Sequence, residues 1–246
     1  MRWGEIWQFV KKIFDWLKDA LFPRRCLGCQ AWGEWCCLKC LAELEFPRQL
    51  HCPSCGTASP VGEFCPSCKT GRALDGLWAV QPYGQPLIKK LIHDFKYEYL
   101  TELADTLGQI LITTLRAYQL PPVWHSLKPS EWQLVPVPLA RRRLRERGFN
   151  QADLLAQIVA RATGLKKQDI LTRAHTTMPQ SKITDYNKRR QNLRQVFKLK
   201  PEVNCQNQVY ILVDDVYTSG TTLEECAKLL KSGGALEVWG LTVAKG

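Results

Sequence analysis

Long apolar runs are missing from this 246-residue chain. No stretch approaches the ~18 uninterrupted apolar residues that a bilayer-spanning helix needs. The first 22 residues are broken up by Arg2, Glu5, Lys11, Lys12, Asp15, Lys18 and Asp19. They lack the apolar h-region of a secretory signal, so a cytoplasmic protein is expected. Acidic side chains are also few, 23 against 34 basic ones, for a net charge of +11. The imbalance is local. Residues 141–200 hold 16 basic and 4 acidic side chains, a net +12, whereas residues 1–75 hold 10 and 8. A positive field gathered into a quarter of the chain favours a phosphate-bearing partner over a merely solvated face. Hydrophobic residues make up 45% of the chain, which excludes global disorder. The length suits one α/β domain with a small module beside it.

Cysteine is the residue type in excess. Nine of the eleven cysteines lie between positions 26 and 68, as Cys26-Leu-Gly-Cys29, Cys36-Cys37-Leu-Lys-Cys40, Cys52-Pro-Ser-Cys55 and Cys65-Pro-Ser-Cys68. A CxxC turn sets two thiolates on one side of a tight loop, and two such turns complete a tetrahedral all-sulfur site. Zinc is the default metal for such closed sites, with iron the weaker alternative. Consecutive pairing gives one site from Cys26, Cys29, Cys37 and Cys40 and a second from Cys52, Cys55, Cys65 and Cys68. Interleaved pairing of the first unit with the third and the second with the fourth satisfies the same spacing. Cys37 is preferred to Cys36 because it alone makes the CxxC spacing with Cys40. All four positions of each site are filled, so the two zinc ions are expected to be structural, replacing a core that so short a segment cannot build.

Three segments are expected: an amphipathic N-terminal helix over 1–24, a double zinc ribbon over 25–72 and an α/β domain over 76–246. Trp3, Ile6, Trp7, Val10, Ile13, Phe14, Leu17 and Leu21 follow a helical stripe, which Pro23 ends. Such a helix packs on its own protein, or lies on the inner membrane as a peripheral contact through residues 2–22. Strands are expected at 77–81, 132–138, 209–213 and 238–243, and helices at 85–96, 99–118, 150–163, 184–195 and 221–232. The continuous apolar run Val209-Tyr-Ile-Leu-Val213 reads as the buried centre of a parallel sheet, and the alternation of strands and helices means α/β.

The densest chemistry is Val213-Asp-Asp-Val-Tyr-Thr-Ser-Gly-Thr-Thr222. An apolar strand runs into two adjacent carboxylates, and a hydroxyl-rich loop with one glycine then opens a helix. A helix N-terminus offers unpaired N–H groups and partial positive charge to a phosphate. Gly220 lets the backbone come close, and Thr218, Ser219, Thr221 and Thr222 add hydroxyls. No lysine follows the glycine, so this is not the P-loop pattern. The segment resembles the phosphoribosyl-pyrophosphate signature of the type I phosphoribosyltransferase fold. Val135-Pro-Val-Pro138, Arg145-Glu-Arg-Gly-Phe-Asn-Gln151 and Arg189-Arg-Gln-Asn-Leu-Arg194 with Phe197, behind two zinc ribbons, resemble the ComF family of competence proteins. That likeness covers nearly the whole chain.

The resemblance implies a type I phosphoribosyltransferase-like parallel sheet flanked by helices. It implies that Asp214 and Asp215 hold the ribose 2′ and 3′ hydroxyls and that residues 218–222 hold the 5′-phosphate. Purine-salvage relatives often carry an aspartate where Thr218 stands here, so purine salvage is the weaker reading. Arg141, Arg142, Arg143, Arg145, Arg147, Asn150, Lys188, Arg189, Arg190 and Arg194 are the candidates for contact with pyrophosphate or nucleic acid. The expected ligands are phosphoribosyl pyrophosphate with magnesium, and single-stranded DNA, with DNA-uptake proteins as partners. Three functions compete: handling of incoming single-stranded DNA, phosphoribosyl transfer to a small acceptor, and ligand sensing without turnover.

Overall fold

The computed structural model describes residues 24–46, 49–98, 100–118, 132–173 and 196–246. The helices expected over 2–22 and 184–195 lie outside them, as do Lys188, Arg189, Arg190 and Arg194. The chain divides into two compact units between Glu45 and Phe46, inside the 25–72 segment. In the smaller unit the first ribbon is closed by a bridge between Arg25 and Trp32 and by a short helix, α1 (Leu38–Ala42), that starts directly after Cys37.

The larger unit begins with the second ribbon, which has a bridge between His51 and Ala58 and one helical turn, α2 (Pro66–Lys69), with Pro66 at its start. The α/β part follows as β1 (Gly76–Pro82), α3 (Pro86–Tyr97), α4 (Leu103–Ala117), β2 (Trp132–Pro136), α5 (Arg141–Arg147), α6 (Gln151–Thr163), β3 (Lys166–Lys167), β4 (Leu171–Arg173), β5 (Phe197–Leu199), β6 (Val209–Tyr217), α7 (Thr221–Ser232) and β7 (Glu237–Lys245). Five strands form a sheet in the order β1-β7-β6-β2-β3, and every pairing is parallel. β4 and β5 form a separate antiparallel pair. The fold is thus the expected α/β class, a parallel sheet with flanking helices behind a cysteine-rich ribbon.

Local chemistry accounts for the helices. α3 has Pro at its start, the Gln85 side chain accepting from Ile88 N–H at 2.7 Å, and Ile88, Leu91, Ile92 and Phe95 buried on one face. α6 is capped by Asn150, whose side chain accepts from Ala152 N–H, and is stopped by Gly164 in the left-handed region. α4 and α6 touch at Gly108, where an added Cβ would lie 2.5 Å from Ile158; a side chain there would force the helices apart. Gly148, at φ +74, ends α5. The sequence pattern carried no sign of α5, because its seven residues hold five arginines and no apolar stripe.

The central strand differs from expectation in length. β6 runs to Tyr217, four residues past the apolar run, because β7 extends alongside it and pairs Asp214 with Thr242, Val216 with Ala244 and Tyr217 with Lys245. Both acids therefore sit inside the ladder. The second ribbon shares a core with the sheet: Cys52, Phe64 and Leu74 belong to one buried cluster with Leu212, Tyr217, Leu223 and Leu230.

Candidate functional site

The eight cysteines gather as two groups, Cys26, Cys29, Cys37 and Cys40, and Cys52, Cys55, Cys65 and Cys68. Pairing is therefore consecutive, and the interleaved alternative falls. Within each group all sulfurs lie within 4.8 Å of one another, with Cys29 to Cys37 and Cys55 to Cys65 both at 3.6 Å. A regular tetrahedron with Zn–S bonds of about 2.3 Å has edges of about 3.8 Å, so the donor sets fit zinc. Each site also contains a thiol prepared to ionise. Burial opposes charge on Cys26, but N–H groups of Cys37, Cys29 and Gly28 outweigh it and pull the thiol down to about 6. Cys52 is held at about 6 by Cys55, Cys65 and Ser54 in the same way. The two ribbons thus repeat one design, in which the N–H of the third cysteine, Cys37 or Cys65, donates to the sulfur of the first, Cys26 or Cys52, at 3.4 Å. Cys36 is buried beside the first group, outside the ligand set as expected, and burial pushes it up to about 12.

The second constellation stands at the carboxyl end of β6, where ligands of open parallel sheets bind. Successive strand residues face opposite sides, and the two acids have different partners. Asp215 is buried and pairs with Lys96, the C-terminal lysine of α3, at 2.7 Å. Asp214 turns back to accept the Asp215 N–H at 2.8 Å. Burial, and after it the charge of Asp215, push the Asp214 carboxyl up to about 7 against the pull of Lys96 and Arg173. Arg173, at the end of β4, in turn feels the like charge of Arg143. Its buried Nε has no hydrogen-bond partner among the described residues.

Beyond Tyr217 the loop side chains are displayed to solvent. Thr218, Ser219 and Thr221 are exposed, and the Ser219 and Thr221 hydroxyls lie 2.9 Å apart. Gly220 is the N-cap residue of α7, at φ +74, and contributes no side-chain cap. The first turn of this twelve-residue helix thus presents backbone N–H groups and a positive dipole end beneath a rim of hydroxyls.

The basic candidates separate by environment. Arg141, Arg142, Arg143 and Arg145 are exposed on α5, which begins five residues after β2 ends, next to β6 in the sheet. Arg142 pairs with Glu146 at 2.7 Å on the surface. Arg147 looked exposed in sequence but is buried, with its guanidinium over the Tyr97 ring and hydrogen-bonded to Gln151 at 3.2 Å. Asn150 caps α6 and ties it to the Val137 carbonyl at 3.1 Å. Lys96 and Arg173 escaped sequence reasoning. Each is a lone basic residue at the end of an element, and only the folded sheet brings them to the acids.

A double zinc ribbon domain matches residues 17–69. The chain is 32% identical to the DNA utilization protein YhgH of Escherichia coli K12 over 88% of this chain and 96% of that one. It is 28% identical to competence protein ComFC of Bacillus subtilis over 96% of each. Solved structures that resemble it include the allosteric regulatory enzyme of purine biosynthesis, 19% identical at a TM-score of 0.37 over 56% of this chain and 25% of that one. A hypoxanthine phosphoribosyltransferase from Staphylococcus aureus is 14% identical at a TM-score of 0.32, over 61% and 65%. With competence protein F of Haemophilus influenzae the identity is 33% over 89% of this chain and 90% of that one, and the chain belongs to the ComF family of competence proteins.

Proposed function

We propose that the protein binds a phosphoribosyl ligand, either phosphoribosyl pyrophosphate or a 5′-phosphoribose end, at the carboxyl end of β6, and that it handles single-stranded DNA during uptake in the cytoplasm. The observation that carries the reading is the sequence of groups along one backbone: two carboxylates, three displayed hydroxyls, one close-approach glycine and an N-terminus of α7 without a side-chain cap. A phosphate satisfies the N–H groups, and a sugar diol competes with Lys96 and the Asp215 N–H for the carboxylate oxygens. The exposed arginines of α5 supply charge for a phosphate backbone. The family's association with DNA supports the second half. Among the described residues no acidic group of three or more converges as a metal site. Magnesium belongs to this reading as an ion that pyrophosphate would bring, with a carboxylate of Asp214 or Asp215 as the group that would hold it, the usual mode with phosphate ligands.

The test is a thermal-shift series with phosphoribosyl pyrophosphate plus magnesium, ribose 5-phosphate and single-stranded DNA. Phosphoribosyl ligands raise the melting temperature of the wild type. The paired change Asp214→Asn with Asp215→Asn abolishes the rise while the ligand-free protein stays folded. Equal stabilisation of the double variant shows that the acids do not line the site. A second reading, phosphoribosyl transfer to a small acceptor, draws on the positive charge that Lys96 and Arg173 bring to Asp214, where a leaving pyrophosphate needs it. Acceptor-dependent release of pyrophosphate separates transfer from binding alone.

A further inference from the structure

The second ribbon reaches the hydroxyl loop through two side chains. The first is Arg72. Its Nε donates to the Cys68 carbonyl at 2.9 Å, one of its terminal nitrogens donates to Ser54 Oγ at 3.3 Å, and its plane lies over the Phe64 ring. It thereby joins the Cys52–Cys55 knuckle to the Cys65–Cys68 knuckle. Burial raises the Tyr217 hydroxyl, and the charge of Arg72 with a hydrogen bond from it acts the other way. Tyr217 is buried at the end of β6, and its hydroxyl lies 2.3 Å from where a Cβ on Gly220 would stand. The loop glycine is thus packed on a ring that the ribbon holds from the other side. The second side chain is Glu224 in the first turn of α7. Its two oxygens accept from the N–H groups of Ala73 and Leu74, at 2.6 and 3.3 Å, in the strap that leaves the ribbon. A carboxylate used in this way grips backbone from outside the helix instead of filling the phosphate position at the helix end.

We propose that the second zinc ribbon is a positioning element for the loop 218–222, with Arg72 and Glu224 as its two points of attachment. The four cysteines close the knuckles around a metal. The knuckles fix Arg72, and Arg72 with Glu224 fixes Tyr217, Gly220 and the first turn of α7. Occupancy of the Cys52, Cys55, Cys65 and Cys68 site and affinity for phosphate at the loop are then linked, each raising the other by the same factor. The affinity half of this inference rests on the phosphate reading above; the positional half does not.

The experiment uses the full-length zinc-loaded protein and two variants that leave every cysteine in place, Arg72→Met and Glu224→Gln. Lys69→Met is the control, because Lys69 binds the Leu74 carbonyl and Asp75 in the same strap, and Asp75 in turn holds Lys231 in the last turn of α7, outside the segment 217–226. Amide exchange of the segment 217–226 is measured by mass spectrometry, zinc content by elemental analysis and ribose 5-phosphate affinity by calorimetry. Faster exchange of 217–226 in Arg72→Met and Glu224→Gln, with two zinc ions retained and exchange in Lys69→Met as in wild type, is the expected result. Affinity for ribose 5-phosphate falls about tenfold in Arg72→Met, the scale of one charge-assisted hydrogen bond. Unchanged exchange in both variants, or an equal rise in the control, overturns the positioning role. Wild-type protein that fails to bind ribose 5-phosphate overturns the phosphate reading and the affinity half with it, while the exchange result still decides the positional half.

Discussion

Asp214 carries an electrostatic cost in the folded state. Asp215 has Lys96; Asp214 has burial, a like charge beside it and one backbone N–H. Its folded-state value, about 7, lies above the ordinary carboxylate range, so the native state binds a proton there that the unfolded chain has released. Stability from this group is present at low pH and is lost as pH rises from about 4 through 7. Asp214→Asn removes the penalty. Its melting temperature should exceed that of wild type at pH 8 by an amount worth about 2 kcal/mol, and the gap should narrow as pH falls below 7 and close near pH 4. A gap independent of pH would show that the residue's charge is not its cost. Gly220 is the other position where one atom decides. Gly220→Ala meets both an unfavourable positive φ and the Tyr217 hydroxyl, and should destabilise by about 2 kcal/mol in chemical denaturation. Tyr217→Phe in the same chain should recover little of that loss, because two ring carbons would still lie 2.6 and 2.7 Å from the new Cβ.

The two ribbons are alike in sequence and unlike in what they support. The first belongs to the smaller unit, whereas the second puts Cys52, Phe64 and Leu74 into the core beneath the sheet. The same substitution should therefore have different consequences. Cys26→Ser and Cys52→Ser should each lower zinc content from two ions per chain to one, because a site missing a thiolate binds weakly. Cys52→Ser alone should lower the unfolding midpoint of the α/β part, read by the fluorescence of the stacked Trp78–Trp239 pair, whose rings lie 4.8 Å apart. Equal midpoints for the two variants would mean that the second ribbon is only an appendage. The four CxxC units were legible in sequence because thiolate spacing is a local property. Consecutive pairing was not, since either pairing satisfies the spacing and only folding brings four sulfurs together.

At the scale of the whole molecule the question is what the positive charge meets. Arg141, Arg142, Arg143 and Arg145 stay on the surface, while Arg147 is committed to Tyr97 and Gln151. Single-strand binding should weaken linearly with salt in a log–log plot, at a slope of about −0.7 per phosphate contacted. Neutralising Arg141, Arg142 and Arg143 together should make the slope shallower by up to ~2 and leave base preference unchanged, since phosphate contacts carry no sequence information. The exposed Arg142–Glu146 pair is of little hindrance, because such pairs are weak in water. A slope untouched by the triple change would remove DNA from α5 and leave the small phosphate ligand as the sole user of the site.

The periodicity of apolar residues, the cysteine spacing and the order acid-acid-hydroxyl-glycine-hydroxyl were sufficient for the α/β class, the two metal sites, the position of β6 and the loop before α7. All are patterns within one short stretch, where neighbours in sequence are neighbours in space. What required the tertiary structure was everything that one element does to another. β6 runs on through Asp214 and Asp215 because β7 lies along it with donors and acceptors to spare, and no propensity of two aspartates for a strand announces that. Lys96 reaches Asp215 from the end of α3, and Glu224 reaches the ribbon strap from 150 residues away in sequence. Arg147 left the surface because an aromatic ring and an amide were waiting for it. A charged side chain's environment belongs to the residues that surround it, and those are chosen by how sheet, helices and ribbon pack.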